Sequence, residues 1–345
     1  MIMLNRRILL AAVFYLLLFS PFISAQFSYQ VNAELGFYNS KSKFLYEEND
    51  LLARLEGKIA YIYEKDNTAA SFQLKVRPEF YGFKKQLASF KFRGSGEYSR
   101  REDNFDWSIN LSRQLNRIIN DRTIINYDVF FLQGNVTLFS IPDLPISTNV
   151  GYAYQNVSSN AEQNLDLIFG EAKVNQVFSS YFRTGYGLYA EKFAIENKYS
   201  SGYQNINGSN SGYRVGPEVE LYYLKDFIIN CQYRFLFHAS DATKFPSYEQ
   251  WIKLVAGKIL FPGVSAFILV NLYIRKFNAA ETTNNRLSIL YTPINQENYI
   301  SFKTAYDLTD SINLYLKGGY FRENLIYNDY TFEGWNLVLA IELSN

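Results

Sequence analysis

The sequence predicts an all-β chain that spans a membrane as an antiparallel up-and-down barrel, and two observations predict it. Apolar and polar residues alternate in segments of roughly ten residues from Phe27 almost to the C-terminus. Since successive side chains of a strand point to opposite faces, each segment has one apolar and one polar face. A short apolar leader also precedes the first segment. Together these features are typical of a transmembrane β-barrel.

The leader has the three regions of a secretory signal peptide. Arg6 and Arg7 precede an apolar run over 8–19, and the small residues Ser24 and Ala25 follow it. The run is shorter than the roughly 20 residues that a membrane-spanning helix needs. We expect cleavage after Ala25, so that 1–25 is the signal peptide and 26–345 is a single barrel domain.

The strands follow one another between turn-forming residues. In the segment near 70–82, for example, Phe72, Leu74 and Val76 alternate with Lys75 and Arg77. Candidate strands fall near 27–38, 51–63, 70–82, 88–99, 105–117, 124–139, 146–156, 164–177, 180–193, 212–224, 227–238, 249–261, 264–277, 286–292, 298–308, 311–322 and 334–344.

These seventeen segments exceed an even number by one, whereas single-chain bacterial barrels have an even strand number. The segments 164–177 and 286–292 have the weakest alternation. We therefore predict about sixteen strands, with fourteen or eighteen as alternatives. The stretch 196–211 is rich in Gly, Ser and Asn, so we expect the longest outer loop there.

Sorting the strands by alternation predicts an apolar face toward lipid and an ionic face toward the lumen. The lipid face includes Ile109 and Leu111 on one strand and Trp335, Leu337 and Leu339 on the last. Charged groups need water or partners, and a lumen supplies both. The candidate selectivity residues of the lumen are Arg54, Lys58, Lys75, Arg77, Lys91, Arg93, Arg183, Arg214 and Arg234.

The chain resembles the Gram-negative outer-membrane β-barrel superfamily. The features that carry the resemblance are the leader ending Ile23-Ser24-Ala25, the repeated alternation and the last strand, 335–343. They cover the whole mature chain but indicate no subfamily. The resemblance implies a bacterial outer-membrane location, contact with membrane lipid and lipopolysaccharide, and insertion by the barrel-assembly machinery. The oligomeric state stays open.

Composition argues against several function classes. The chain has 34 basic and 33 acidic residues, so its net charge of +1 gives no preference for nucleic acid. His238, the single histidine, is followed by Ser240 and Asp241, which are too close in sequence to converge as a catalytic triad. We expect a rim histidine. With Cys231 as the single cysteine, we expect no disulfide, no metal site, no cofactor and no enzymatic activity.

The leading hypothesis is a passive, porin-like channel for small hydrophilic solutes through a polar lumen. Six basic residues on the second to fourth strands would favour anions, unless they form cross-strand pairs with Glu56, Glu79 and Glu97. A barrel that anchors a secretion or envelope-assembly complex is the alternative. Inward aromatic residues suggest a third option, a transporter for hydrophobic solutes: Tyr189, Tyr315 and Phe321.

Overall fold

Sixteen antiparallel strands close into one barrel in the computed structural model. They are β1 (Ala25–Ser42), β2 (Glu48–Lys65), β3 (Thr68–Tyr81), β4 (Leu87–Arg101), β5 (Phe105–Asn120), β6 (Thr123–Leu138), β7 (Ile146–Ser158), β8 (Ala161–Ser179), β9 (Phe182–Ser201), β10 (Gln204–Leu224), β11 (Ile228–Ser240), β12 (Ser247–Phe261), β13 (Val264–Phe277), β14 (Glu297–Thr309), β15 (Ile312–Asn324) and β16 (Thr331–Ser344). Consecutive strands pair throughout, and β1 pairs with β16 from Gln30↔Ser344 to Ser42↔Phe332. The predicted fold class and strand number are confirmed.

The structure describes residues 25–42, 48–82, 87–120, 123–141, 143–158, 161–201, 204–241, 246–277, 297–324 and 331–345. The weak candidate segment at 164–177 is part of β8, whereas the candidate at 286–292 lies outside the described residues.

The prediction of a long loop over 196–211 is wrong. The strands β9 and β10 continue through it and pair as far as Gln204↔Ser201. At about 3.3 Å per residue and a tilt near 40°, a strand of this length reaches roughly 50 Å, which exceeds a hydrophobic band of about 25 Å. The polar residues therefore belong to a hairpin that extends past the membrane, where an apolar face is no longer needed.

The two ends of the barrel differ in their connections. Most turns at the end that carries both termini are short, such as Asp66 and Asn67 between β2 and β3, or Pro262 and Gly263 between β12 and β13. Asp66 and Gly263 have positive φ angles of 50° and 78°, which tight turns require. Short turns face the periplasm in bacterial barrels, so we call this the periplasmic end.

The barrel exterior is apolar. Leu339, Leu188 and Ile168 are 64%, 63% and 60% exposed, and alternate residues of nearly every strand follow this pattern. An apolar surface of this extent is stable against lipid and not against water, so the barrel is a transmembrane one. No helix among the described residues is long and apolar enough to cross a bilayer, a finding that bears on helices alone.

Aromatic side chains form a girdle around the periplasmic end. Tyr181 contacts Tyr223 with ring centroids 5.9 Å apart, Tyr223 contacts Phe227 at 4.9 Å, and Tyr98 contacts Trp107 at 5.4 Å. Lys225 lies over the ring of Tyr181, with Nζ 5.2 Å from the centroid. Such rings favour the membrane–water interface, and they mark the lower edge of the apolar band.

Two inward-facing glycines allow the wall to bend tightly. A Cβ at Gly216 would overlap the carbonyl oxygen of Phe235 on β11, and one at Gly36 would overlap that of Leu337 on β16. A Cβ at the outward-facing Gly134 would meet nothing within 4 Å. Side chains crowd on the inner surface of a curved sheet, so glycine is required on that surface at close approaches.

Candidate functional site

All nine candidate selectivity residues lie on the inner face of the wall. On β2, Leu55 and Ile59 are exposed outside, while Arg54, next to Leu55, has a side chain only 12% exposed. The strand registers carry this alternation onward, placing Lys75 opposite Arg93 and Arg77 opposite Lys91. The alternation therefore sorts charge to the lumen, as the sequence predicts.

Glu79 is the centre of the first ionic network and is 1% exposed. Its carboxylate forms ion pairs with Arg54 (Nε to Oε1, 3.4 Å), with Lys91 (Nζ to Oε2, 3.4 Å) and with Arg77. The Tyr81 hydroxyl also donates a hydrogen bond to it, at 3.0 Å. One buried carboxylate thus shares three cations from three adjacent strands.

Two further carboxylates extend this network. Arg54 also contacts Glu34 at 3.3 Å, and Lys75 contacts Glu56 at 2.8 Å. The Tyr315 hydroxyl donates to Glu34 at 2.7 Å. Most cations of β2–β4 are therefore neutralised within the wall. Of the two possibilities that the sequence left open for these strands, cross-strand pairing applies, and enrichment of anions does not.

The second network surrounds Glu218 on β10. Arg234 pairs with it and, at 3.1 Å, with Glu171 on β8. Lys173 lies 2.8 Å from Glu171, 2.8 Å from Glu220 and 3.4 Å from Glu218. These pairs join β8 to β11, so they fix the curvature of this wall as well as its charge.

The third network lies nearer the outer end and includes the single histidine. Arg214 contacts Glu191 at 2.9 Å and Glu249 at 3.1 Å. His238 Nδ1 lies 2.8 Å from Glu249 and 3.2 Å from the Ser247 hydroxyl. His238 is 2% exposed, so the prediction of a rim histidine is wrong: it faces inward and is covered by side chains of β9 and β12.

The geometry around His238 does not suit nucleophilic catalysis. A catalytic histidine contacts the nucleophile with one ring nitrogen and the orienting acid with the other. Here Ser247 and Glu249 both approach Nδ1. Among the described residues, no group of three or more His, Cys, Asp or Glu side chains could hold a metal ion.

An apolar cluster interrupts the expected polar lumen. It lies on the inner face of β6 to β9 and β11, and its members are at most 8% exposed. Phe169 packs against Phe131 and Tyr189, with ring centroids 5.2 Å and 6.2 Å away. These inward apolar side chains cover one another and fill part of the barrel interior. The cluster contains Val129, Ala153, Leu165, Leu167, Phe169, Tyr189, Phe193, Ile195 and Leu236.

A cavity of about 1080 Å³ remains inside the barrel. Its lining runs from Arg93 on β4 to Tyr299 on β14, so it reaches across the lumen. Three lining cations have no carboxylate oxygen within ion-pair distance among the described residues: Arg93, Arg183 and Lys253. All three side chains are exposed to the lumen. We call them the cavity cations.

The carboxylates that line the cavity are already paired. Glu191 contacts Arg214 and Glu220 contacts Lys173. Aromatic rings support two of the cavity cations: the Arg183 guanidinium is 4.4 Å from the centroid of Tyr222, and Lys253 Nζ is 4.2 Å from that of Trp251. The cavity therefore has an excess of positive charge.

Six of the nine predicted residues are paired, and the other three are unpaired among the described residues. Arg54, Lys75, Arg77, Lys91, Arg214 and Arg234 are paired with carboxylates. Arg93 and Arg183 line the cavity, while Lys58 is unpaired among the described residues and lies outside the lining. The sequence prediction missed Lys253 and Trp251, although strand alternation from Glu249 would have placed both inward.

Comparisons with known proteins give no family. No protein-family model matches the chain, and no curated protein matches its sequence. Among solved structures, it is similar to outer-membrane-expressed OmpT of Vibrio cholerae (TM-score 0.46, 11% identity, covering 93% of this chain and 97% of that one). It is also similar to Pseudomonas aeruginosa OccK11 (0.38, 10%, 92% and 96%) and to a mutant of the TodX monoaromatic hydrocarbon channel (0.42, 7%, 94% and 90%). These scores are low, so the functional argument rests on the barrel itself.

Proposed function

We propose that the protein is a non-enzymatic channel of the bacterial outer membrane that passes small hydrophilic solutes and prefers anions. The observation that carries the proposal is the cavity, where Arg93, Arg183 and Lys253 have no carboxylate partner among the described residues while Glu191 and Glu220 are paired with cations. Unpaired charge on the wall of a confined aqueous space enriches counter-ions there. The paired networks of β2–β4 contribute much less to this field.

The packing of the interior favours a narrow, selective path over a wide pore. The apolar cluster fills one side of the lumen, and the Arg214 network is fully buried. The cavity is close to the upper limit of ordinary small-molecule sites, which are about 300–1,000 Å³. We therefore expect the channel to pass solutes that are small enough to fit inside this cavity.

The test is planar-bilayer recording of the protein purified from outer membranes. We expect discrete conductance steps that are small for a barrel of sixteen strands, because side chains fill much of the lumen. A barrel without conductance at high protein load would contradict the proposal. Heat-denatured protein from the same preparation is the control for contaminating channels.

A second candidate function is an anchor or scaffold for a secretion or envelope-assembly complex. The side chains that fill much of the interior favour this function, because a scaffold needs a stable barrel but no path for solutes. Stoichiometric co-purification with a partner from native membranes, combined with no conductance, would support the scaffold over the channel.

The third option, a transporter for hydrophobic solutes, receives less support from the aromatic residues that suggest it. Tyr189 lines the cavity, but Tyr315 donates a hydrogen bond to Glu34 and Phe321 packs against the cluster around Tyr38. Two of the three aromatic side chains therefore contact other residues of the barrel wall and do not line the cavity.

A further inference from the structure

We infer that inward side chains close the outer half of the barrel, so that the cavity is a vestibule that opens to the periplasm. The inference goes beyond the proposed channel, because it assigns a closed state to the barrel and a side from which solutes enter the cavity. It rests on the burial of inward side chains along the strands, on the two ends of the cavity and on the ion pairs above it.

Inward side chains become more buried toward the outer end of the barrel. On β3, which starts at the periplasmic end, the exposed fraction of the side chain falls from 37% at Lys75 to 26% at Arg77 and 1% at Glu79. On β4, Arg93 is exposed to the lumen, whereas Ser89, four residues nearer the outer end, is buried. Water therefore reaches the inner wall near the periplasm and is excluded from it farther out.

Strands on the other side of the ring follow the same gradient. On β11, Asn230 near the periplasmic end is exposed and His238 near the outer end is buried. On β12, which runs in the opposite direction, Lys253 is exposed and Glu249 is buried. An inward side chain on an open lumen would stay accessible, so burial on both sides of the ring means that other atoms cover these side chains from within.

The cavity runs between these two levels of the barrel. Its lining includes Phe139 and Pro145 in the connection from β6 to β7, and Arg183, the second residue of β9, all at the periplasmic end. Its lining also includes Arg214 and Leu236, which lie farther along their strands and are both 2% exposed. The cavity therefore extends from the periplasmic connections to a buried roof.

The roof contains charged side chains, which we call the outer layer: Glu191, Arg214, His238 and Glu249. Arg214 joins Glu191 to Glu249, and His238 contacts Glu249 and the ring of Phe193, whose centroid lies 5.4 Å from that of the imidazole. Buried ion pairs lose hydration when they form, so groups that separate regain it and offset part of the lost attraction. An ionic layer can therefore open at a lower cost than its number of contacts suggests, which suits a gate.

The test is cysteine labelling in proteoliposomes, with Cys231→Ser in every variant to remove the native thiol. Asn230→Cys places a thiol in the vestibule. Asn67→Cys, in the turn between β2 and β3, reports the periplasmic end, and Asp241→Cys, just beyond β11, reports the outer end. A sulfonated, membrane-impermeant fluorescent maleimide is added outside the vesicles. Because barrels insert in both orientations, each control labels only the barrels whose corresponding end faces outward.

We expect Asn230→Cys to label the same fraction of barrels as Asn67→Cys, in a preparation in which the two controls label unequal fractions. Labelling of the fraction seen with Asp241→Cys would show a vestibule that opens outward. Labelling of all barrels would show a lumen open at both ends, and no labelling would show a sealed cavity; each of these three results overturns the inference. Labelling needs no conduction, so a barrel that labels as expected but never conducts contradicts the proposed channel alone.

A second set of variants tests the outer layer as the gate. Arg214→Ser removes the cation that joins Glu191 to Glu249, so Asn230→Cys in this background should become reactive in both orientations. Phe193→Ala shortens the ring that contacts His238 and should have the same effect without removing a charge. Arg214→Lys keeps the charge and should keep labelling one-sided. Heat-modifiability on gels checks folding, and one-sided labelling in a folded Arg214→Ser or Phe193→Ala variant would overturn the assignment of the gate.

Discussion

Lys91 and Arg93 are two residues apart on the same face of β4, yet they differ in what surrounds them. Lys91 reaches the buried carboxylate of Glu79 at 3.4 Å, whereas Arg93 lies opposite Lys75 and Gln114 and lines the cavity. Lys91 therefore helps to hold neighbouring strands of the wall together, whereas Arg93 contributes to the electrostatic field inside the cavity. These two basic residues on one face of β4 differ in role because the side chains within their reach on β3 differ.

The largest expected effect is on the paired region. In Glu79→Gln, Arg54, Arg77 and Lys91 lose the buried carboxylate that they share, while Arg54 keeps its ion pair with Glu34. We expect the free energy of unfolding to fall by about 3–5 kcal/mol, measured by denaturant titration in detergent micelles.

The matched control for this substitution is Glu97→Gln. Glu97 faces the lumen on the same strand as Lys91, is exposed, and forms no ion pair among the described residues. Its unfolding midpoint should stay near that of the unchanged protein. Similar losses in the two variants would mean that the Glu79 network does not hold the wall together.

A second, smaller effect concerns the backbone that positions the other networks. Gly216 lies between Arg214 and Glu218, and a methyl group there would collide with the carbonyl oxygen of Phe235. We expect Gly216→Ala to cost about 1–3 kcal/mol in the free energy of unfolding, as overpacking does. Gly134→Ala, where nothing lies within 4 Å of the added methyl group, should leave the free energy of unfolding unchanged. An equally neutral Gly216→Ala would mean that the close approach of β10 and β11 does not require glycine.

The third effect sharpens the comparison with matched arginines. Arg77→Gln removes a partner of Glu79 and should lower the free energy of unfolding by about 1–3 kcal/mol. Arg93→Gln removes no ion pair that the described part of the chain forms, so it should leave the unfolding midpoint within error. Heat-modifiability on gels gives an independent readout, and equal destabilisation of the two variants would erase the distinction.

Strand alternation predicted most of the architecture. A one-residue shift would move every charge of β3 into lipid, so the pattern determines the faces and, with the even-number rule, the sixteen strands. The alternation of Leu55 and Ile59 with Arg54 is visible without any structure. It also predicted that the candidate cations face inward.

The partners of those cations could not be predicted in the same way. Pairing depends on the offset between neighbouring strands and on the curvature of the wall, and neither leaves a pattern within a single strand. Arg93 and Lys91 look equivalent in sequence for this reason. His238 was misplaced because its cover comes from Phe193 and Glu249 on other strands. The 196–211 hairpin was missed because its strands leave the membrane and lose the apolar alternation.

The most direct test of the central claim is the reversal potential of single channels in a salt gradient. The unchanged protein should be more permeable to chloride than to potassium, and the double variant Arg93→Gln with Lys253→Gln should shift the reversal potential toward potassium. Lys58→Gln removes a lumen charge outside the cavity and should shift it much less. An unchanged reversal potential in the double variant, or an equal shift in Lys58→Gln, would contradict the account.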